Sequence, residues 1–288
     1  MSIIFENVTH IYMPGTPYQQ VAIQNINLEI AKGEFVGVIG HTGSGKSTLV
    51  QHLNGLLAPS NGKVLLDGTD VNKKNSAARA ARRRVGMVFQ YPEHQLFEET
   101  VYADIAFGPR NLQLSEEEVE RRVRQAMAFV GLEFDAYRER SPFHLSGGQM
   151  RRVAIAGVIA LEPDYLVLDE PSAGLDPRGR DEIFGQIMEL YRSTGITVVL
   201  VSHNMEDVAR MAGRVIVMDH GAISMDGLPR EIFQHGQEKL LAAGVDVPPL
   251  TALLNCLQKK GLDVDLTAAT VEAAVTSIQA AVGRRKTC

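Results

Sequence analysis

FVGVIGHTGSGKSTLVQHL, Phe35 to Leu53, is the stretch that decides the fold. Its first six residues carry four large apolar side chains and two glycines, a run too short for a helix and suited to a buried strand. GHTGSGKST (Gly40 to Thr48) then fits G-x-x-x-x-G-K-[ST], and STLVQHLNGLL continues with helical spacing of its apolar residues. A strand that enters a glycine-rich turn and leaves through a helix is the context in which this pattern becomes a phosphate-binding loop. The glycines let successive backbone N–H groups turn inward, and the helix N-terminus adds partial positive charge. Gly40, His41, Thr42, Gly43, Ser44, Gly45, Lys46, Ser47 and Thr48 are the candidate nucleotide contacts. Lys46 is placed to reach the β- and γ-phosphates and Ser47 to offer its hydroxyl to Mg²⁺.

Further apolar runs surround this one: RVGMVFQ (Arg84 to Gln90), YLVLDE (Tyr165 to Glu170), ITVVLVSH (Ile196 to His203) and RVIVMD (Arg214 to Asp219). Runs of this length, rich in Val, Ile and Leu on both faces, predict strands of a parallel sheet covered on both sides, with ligands at the strands' carboxyl ends. Helical patterns such as RDEIFGQIMELYRSTG lie between some of them, so the fold class is α/β. The N-terminal segment and VLLDG (Val64 to Gly68) are short and turn-bounded, and predict an antiparallel β subdomain. SEEEVERRVRQAMAFVG (Ser115 to Gly131) has capping-box spacing at Ser115 and Glu118, and sets Glu118 four residues before Arg122. It breaks the strand rhythm, which predicts a mostly helical subdomain inserted over about 92–157 of a core that runs from 1 to 235. After Gly244 the strand runs stop, and 236 to 288 is set apart from the core. Leu250, Leu253, Leu254 and Leu257, then Val271, Ala274, Val275 and Ile278, follow helical spacing, and predict a small helical C-terminal extension that packs on the main domain or on another subunit.

Composition narrows the class. The 288 residues are 45% hydrophobic and 22% charged, enough for a sizeable core. A net charge of −5 argues against a dedicated nucleic-acid binder. The one basic cluster, RAARRR (Arg79 to Arg84), reads as a solvated helix face. Two cysteines, Cys256 and Cys288, make no CxxC pattern and fit a reducing compartment; Cys256 is expected to be a small buried hydrophobe. MSIIFENVTH has no basic n-region followed by a sustained apolar stretch, and the longest apolar runs fall far short of the ~20 residues that span a bilayer. Any membrane role then passes through a partner.

YLVLDE delivers two carboxylates to the end of a strand. Asp169 is the candidate Mg²⁺ ligand and Glu170 the candidate general base or water-positioning group. LSGGQ (Leu145 to Gln149) opens a helical pattern that Pro163 ends, so Ser146, Gly147, Gly148 and Gln149 form a second glycine-rich helix N-terminus and a second anion site.

With GHTGSGKST, LSGGQ and YLVLDE in this order, the chain resembles an ATP-binding cassette ATPase over about Ser2 to Phe233. The resemblance implies ATP and Mg²⁺ as ligands, and a head-to-tail dimer in which the signature loop of one subunit caps the ATP held by the other. It implies that Tyr12 stacks on adenine, and that Gln90 senses Mg²⁺ and the attacking water. SAGLD (Ser172 to Asp176) corresponds to the loop that crosses the dimer interface, and His203 to the switch histidine. Catalysis is thereby expected from Lys46, Gln90, Glu170 and His203. A DNA-maintenance ATPase would carry a coiled coil or a zinc insertion, and a translation factor two cassettes; neither is present, so a transporter motor is favoured.

FQYPEHQLFEETVYADIAFGPRNL (Phe89 to Leu112) further resembles the corresponding segment of energy-coupling-factor ATPases, the motors of vitamin and metal-ion importers, and of their two paired types the second. That resemblance implies a second, related ATPase as heterodimer partner (with a homodimer as the other arrangement), a transmembrane T scaffold docking near Gln90 to Pro109, exchangeable substrate-binding S components, and a peripheral place on the cytoplasmic face of the membrane. A groove beside Gln90 lined by Tyr91 and Phe97 and flanked by Glu93, Glu98 and Glu99 is expected to receive a basic helix. The alternative is the ATPase of a conventional importer that uses a soluble binding protein.

Overall fold

Phe35–Ile39 (β3) is buried at every position and lies inside a six-stranded sheet. The structure is a computed structural model, and it describes residues 1–286 apart from 267 and 269; Cys288 lies outside the described residues. The other strands of this sheet are Val85–Val88 (β6), Tyr165–Asp169 (β7), Thr197–Val201 (β8), Arg214–Asp219 (β9) and Ala222–Gly227 (β10). Their order is β10-β9-β3-β8-β7-β6, parallel throughout except that β10 returns antiparallel along β9. β6, β7 and β8 are buried at every residue because helices or the second sheet cover both faces, which is why they read as unbroken apolar runs.

The second sheet is antiparallel, in the order β2-β1-β4-β5, and comprises Ser2–Tyr12 (β1), Gln20–Ala31 (β2), Asn61–Leu66 (β4) and Thr69–Asp70 (β5). Its inward residues, among them Ile3, Phe5, Ile23 and Ile26, share one core with Val36, Val38, Val199 and Val201 of the parallel sheet and with Leu49, Val50 and Leu53 of Lys46–Leu53 (α1). The helix after the phosphate-binding loop is thus sandwiched between the sheets.

Arg84 clamps these layers. Its guanidinium reaches Asp164 at 2.6 Å, just before β7, and Asp67 at 2.8 Å, in the turn after β4. The basic cluster that contains it is therefore only partly a solvated face. Arg79 and Arg83, on Ser76–Arg83 (α2), are exposed, whereas Arg84 joins the two sheets.

On the other side of the parallel sheet lie Val101–Asn111 (α3), Glu116–Phe129 (α4), Phe134–Tyr137 (α5) and Gly147–Ile159 (α6). Val101, Ile105, Val119, Val123, Val153 and Ile155 form the core of this helical insert, continuous with Val88, Leu166 and Leu168. Ser115 caps α4 through the Glu118 N–H at 3.3 Å. The Glu118 carboxylate turns toward Arg122, at 2.8 Å, and Arg121. The i,i+4 pairing therefore forms and engages the carboxylate that the capping box would use.

Pro177–Thr194 (α7) and Met205–Met211 (α8) complete the layers, and Arg180 of α7 holds the buried Asp207 of α8 at 2.7 Å. Gln237–Ala242 (α9), Pro249–Lys259 (α10) and Val271–Lys286 (α11) follow. Leu254, Val264, Ala268, Ala274 and Ala281 make a separate small core, so the C-terminal helices bury their apolar stripes largely against one another. Cys256 is exposed, contrary to expectation, because Leu250, Leu254 and Leu257 take the inward face of α10 and Cys256 falls on the outer one. Among the described residues no helix is long and apolar enough to cross a membrane.

Within α1, His52 is fully buried. Its Nδ1 donates to the Thr48 carbonyl at 2.7 Å, and Nε2 has no partner. Burial holds its pKa down to about 4 from 6.5, because a proton on Nε2 would meet no acceptor. The folded state therefore binds fewer protons than the unfolded one between these values, and stability falls as pH drops from 6.5 toward 4, by up to roughly 3 kcal/mol. Urea unfolding across that window should show this slope, and His52→Gln should flatten it.

Candidate functional site

The carboxyl ends of β3, β7 and β8 open into a cavity of about 720 Å³, lined by the phosphate-binding loop, Tyr12, Gln90, Asp169, Glu170 and His203. Every residue that the sequence singled out for one nucleotide site, apart from Ser44 and those of the signature loop, lines this one space. Ser44 lies fully buried beneath the loop.

Gly45 sets the shape of the loop. It occupies the N-cap of α1 at φ 101°, in the left-handed region, and a Cβ there would stand 2.6 Å from the Ala22 carbonyl oxygen and 2.8 Å from Ile23 Cγ2. Only glycine lets α1 start this close to β2. Lys46, the first residue of the helix, folds back over the loop and donates from Nζ to the carbonyls of Gly40 at 2.7 Å and His41 at 2.9 Å. Burial lowers its pKa, and Glu170 and Asp169 offset part of that effect.

Asp169 ends β7 and is 5% exposed. Burial raises its pKa, while a hydrogen bond from the Ser47 hydroxyl and the charge of Lys46 act the other way. Glu170 is 8% exposed and sits at φ 53°, an uncommon conformation for a residue with a Cβ; its N–H donates to the Val201 carbonyl at 3.0 Å. That twist turns its carboxylate to His203, whose Nδ1 lies 2.7 Å from Oε2. Burial pushes the Glu170 pKa up, and the His203 hydrogen bond opposes it. The histidine ring itself projects into solvent, with a side chain 74% exposed.

Tyr12 is partly exposed at the rim, and its hydroxyl lies 3.2 Å from Thr48 Oγ1. His10 meets the same ring edge-on, with centroids 4.6 Å apart. Sequence reasoning missed Gly244, Val245 and Asp246, which line the same cavity from the turn after α9, Gly244 lying against His41. No motif marks them; the only cue is Gly244 itself, left-handed at φ 65°, ending a short helix.

The signature loop is elsewhere. Ser146 caps α6 in a full capping box, with its hydroxyl accepting from the Gln149 N–H at 3.3 Å and Gln149 Oε1 accepting from the Ser146 N–H at 3.0 Å. Gln149 also donates to the Tyr137 hydroxyl at 3.1 Å. A Cβ on Gly147 or Gly148 would meet nothing within 4 Å, so this helix end is open. Ser146, Gly148 and Gln149 share a separate cleft of about 320 Å³ with Leu175 and Asp176, at the end of the SAGLD segment.

Between Gln90 and Pro109, Tyr91, Phe97 and Phe107 are the exposed aromatics, and Phe97 meets Phe107 edge-on at 4.9 Å. Asp104 accepts from the N–H groups of Phe97 and Glu98 and fixes this turn. Glu93 departs from the expected acidic rim. It turns inward to a bidentate pair with Arg151 of α6, 3.1 Å away, whose side chain is 3% exposed. A buried guanidinium needs a full counter-charge, and Glu93 supplies it, which leaves Glu98 and Glu99 at the surface.

The ABC transporter family matches residues 23–173. The chain is 54% identical over 274 residues to the energy-coupling factor transporter ATP-binding protein EcfA2 of Clostridium tetani, covering 95% of each. It is 50% identical over 288 residues to EcfA2 of Clostridioides difficile, covering 100% of each. The chain belongs to the energy-coupling factor ATP-binding proteins of the ABC transporter family. Among solved structures it is similar to cbiO1 of Clostridium perfringens, part of the ABC transporter complex cbiONQ, with TM-score 0.71 and 37% identity over 83% of this chain and 94% of that one. It is also similar to the ATP-binding cassette MJ0796 in a dimeric post-hydrolysis state bound to ADP and Pi, with TM-score 0.71 and 30% identity over 79% and 99%. Energy-coupling factor membership decides between the two importer classes that the sequence left open.

Gly45→Ala should lose nucleotide affinity by at least about tenfold and destabilise the fold by roughly 2–4 kcal/mol, since strain and clash with Ala22 act together. Fluorescent-nucleotide titration and chemical denaturation check the two effects.

Proposed function

We propose that this chain is an ATP-hydrolysing motor subunit of an energy-coupling-factor importer, active as one half of a head-to-tail nucleotide sandwich. The observation that carries this reading is the division of the site. Lys46, Ser47, Asp169, Glu170 and His203 converge on one cavity, while the open glycine end of α6 borders a separate cleft. Such a cavity and such a separate open helix end are completed together by a second ATPase subunit in the opposite orientation. The related second ATPase of this transporter class fits that place.

In this reading Tyr12 stacks on the adenine and the loop amides of Gly40 to Thr48 hold the phosphates. Lys46 gives up the Gly40 and His41 carbonyls and takes the β- and γ-phosphate oxygens, which restores the charge that burial disfavours. Ser47 and Asp169, a hydroxyl hydrogen-bonded to a buried carboxylate, are hard oxygen donors that would hold Mg²⁺, together with Gln90 of the same cavity. When bound, Mg²⁺ neutralises charge on the phosphate oxygens. Glu170 accepts a hydrogen bond from the attacking water, and His203 holds its carboxylate in line while the exposed ring reaches the γ-phosphate. The signature loop of the partner subunit closes the remaining side.

The segment from Gln90 to Pro109 joins this chemistry to the membrane. Gln90 lines the cavity, and Tyr91, Phe97 and Phe107 lie outside it as an exposed aromatic patch beside Glu98 and Glu99. A basic helix of a transmembrane T scaffold fits this patch, with S components supplying the vitamin or other micronutrient. The chain thereby sits peripherally on the cytoplasmic face.

Glu170→Gln should cut ATP hydrolysis by at least about 100-fold in the assembled complex while MgATP still binds, and retained turnover would overturn the reading. Reversing charge in the double variant Glu98→Lys, Glu99→Lys should reduce recovery of the membrane scaffold in a pull-down while nucleotide affinity stays at the wild-type value. Undiminished recovery would remove the acidic rim from the docking surface.

A further inference from the structure

A second group of donors stands against the phosphate-binding loop. His41 within the loop, Asp219 at the end of β9 and His220 beyond it offer ligand atoms that all lie within 4.8 Å of one another. Main-chain bonds fix this arrangement: the Gly221 N–H donates to the Ser44 carbonyl at 3.0 Å, and the Gln24 N–H to the Gly221 carbonyl at 2.8 Å. These bonds hold the β9–β10 turn against Ser44 of the loop, and the side chains of His41, Asp219 and His220 meet beside that contact.

Hydrogen bonding sets the tautomer of His41. Its Nδ1 lies 2.8 Å from the Thr42 carbonyl, which can only accept, so Nδ1 carries hydrogen. In the neutral ring Nε2 is then a lone pair. That atom is buried with no hydrogen-bond partner, and it faces Asp219 Oδ1 at 3.3 Å. The same carboxylate oxygen lies 2.6 Å from His220 Nδ1. Two acceptors facing one another call for a cation between them, either a proton or a metal ion. An imidazolium–carboxylate hydrogen bond closes to about 2.7–2.9 Å. Two ligands at about 2.0–2.1 Å from a tetrahedral zinc ion instead stand about 3.3 Å apart, the spacing of His41 Nε2 and Asp219 Oδ1, whereas His220 Nδ1, at hydrogen-bond distance from the same oxygen, has to turn its exposed ring to ligate. Two imidazoles with one carboxylate suit a borderline transition metal rather than Mg²⁺, and a ligating ring commonly donates its other N–H to a backbone carbonyl, as His41 does.

We propose that His41, Asp219 and His220 bind a divalent transition-metal ion of the Zn²⁺ class, separate from the Mg²⁺ site, and that the bound ion holds the phosphate-binding loop in its nucleotide-free form. The second clause follows from Lys46, whose ammonium is bonded to the carbonyls of Gly40 and of His41 itself. Fixing the His41 ring to the β9–β10 turn fixes the carbonyl that Lys46 must leave to reach phosphate. Ion and nucleotide then weaken each other reciprocally. This coupling rests on the nucleotide site proposed above; binding of the metal alone does not.

The test uses the full chain, stripped with a chelator and titrated with Zn²⁺ alone, with Co²⁺ as a visible probe. One ion per chain with tetrahedral d–d bands is expected, and at least tenfold weaker affinity in His220→Gln and in Asp219→Asn. The His220 side chain is 81% exposed, so His220→Gln should fold normally, which far-UV circular dichroism checks. Ions taken by Ser47 and Asp169, or by the exposed thiol of Cys256, bind wild type and His220→Gln alike, so the difference reports this site. Zn²⁺ should then weaken nucleotide binding at least about fivefold in wild type and leave His220→Gln unaffected. Equal Zn²⁺ affinity in wild type and both variants overturns the proposal. So does a Zn²⁺-loaded wild type that binds MgATP as tightly as the stripped protein. A stripped protein that binds no nucleotide would instead overturn the function proposed above, leaving the Zn²⁺ titration to be judged by itself.

Discussion

An ammonium group and two carboxylates withdrawn from water within one cavity are the constraint around which this molecule is organised. Burial disfavours the charged form of Lys46, Asp169 and Glu170 alike, lowering the first pKa and raising the other two. Each is tolerated because the others are near and because backbone carbonyls, Ser47 and His203 complete its bonding. The parallel strands exist to bring these groups together. β3, β7 and β8 are neighbours in the sheet and end at one edge, so residues more than a hundred positions apart in the chain meet there. In the function proposed above, a bound polyanion would offset the burial of the lysine's charge, and that differential would tie occupancy to conformation.

Legibility in the sequence follows the range of the interactions involved. The strands were readable because burial on both faces leaves an unbroken apolar run, and the phosphate-binding loop because its glycines answer a local demand. Gly45 shows the demand most plainly, set between a helix start and the Ala22 carbonyl. The convergence of Tyr12, Gln90 and His203 on the cavity was legible only through resemblance, since no spacing rule links positions 12, 90 and 203.

What stayed hidden depended on partners far away in the chain. Glu93 looks like any surface acid until Arg151 is found beneath it. Arg84 looks like one of several helix arginines until Asp67 and Asp164 close on it from two sheets. Cys256 was misplaced because its own helix turns it outward, a matter of phase that the leucines of α10 decide. Gly244 to Asp246 reach the cavity from the C-terminal side with no local signature, and the return of β10 along β9 brings Asp219 and His220 beside the loop in the same unannounced way.

The Arg151–Glu93 pair has a mechanical consequence. Arg151 sits on the helix that starts at Ser146, grips the segment that carries the aromatic patch, and also donates to the Ala173 carbonyl in the SAGLD stretch. Three parts with separate tasks are thus riveted at one point, where little water can enter to soften the joint. A load applied at Tyr91 or Phe97 would move α6 as a rigid lever rather than being absorbed by side-chain rearrangement. The far end of that lever is the open glycine turn, so in the nucleotide sandwich proposed above a displacement at Tyr91 or Phe97 would be carried to the partner's nucleotide. The stiffness of one buried joint would then set how faithfully two distant surfaces keep step.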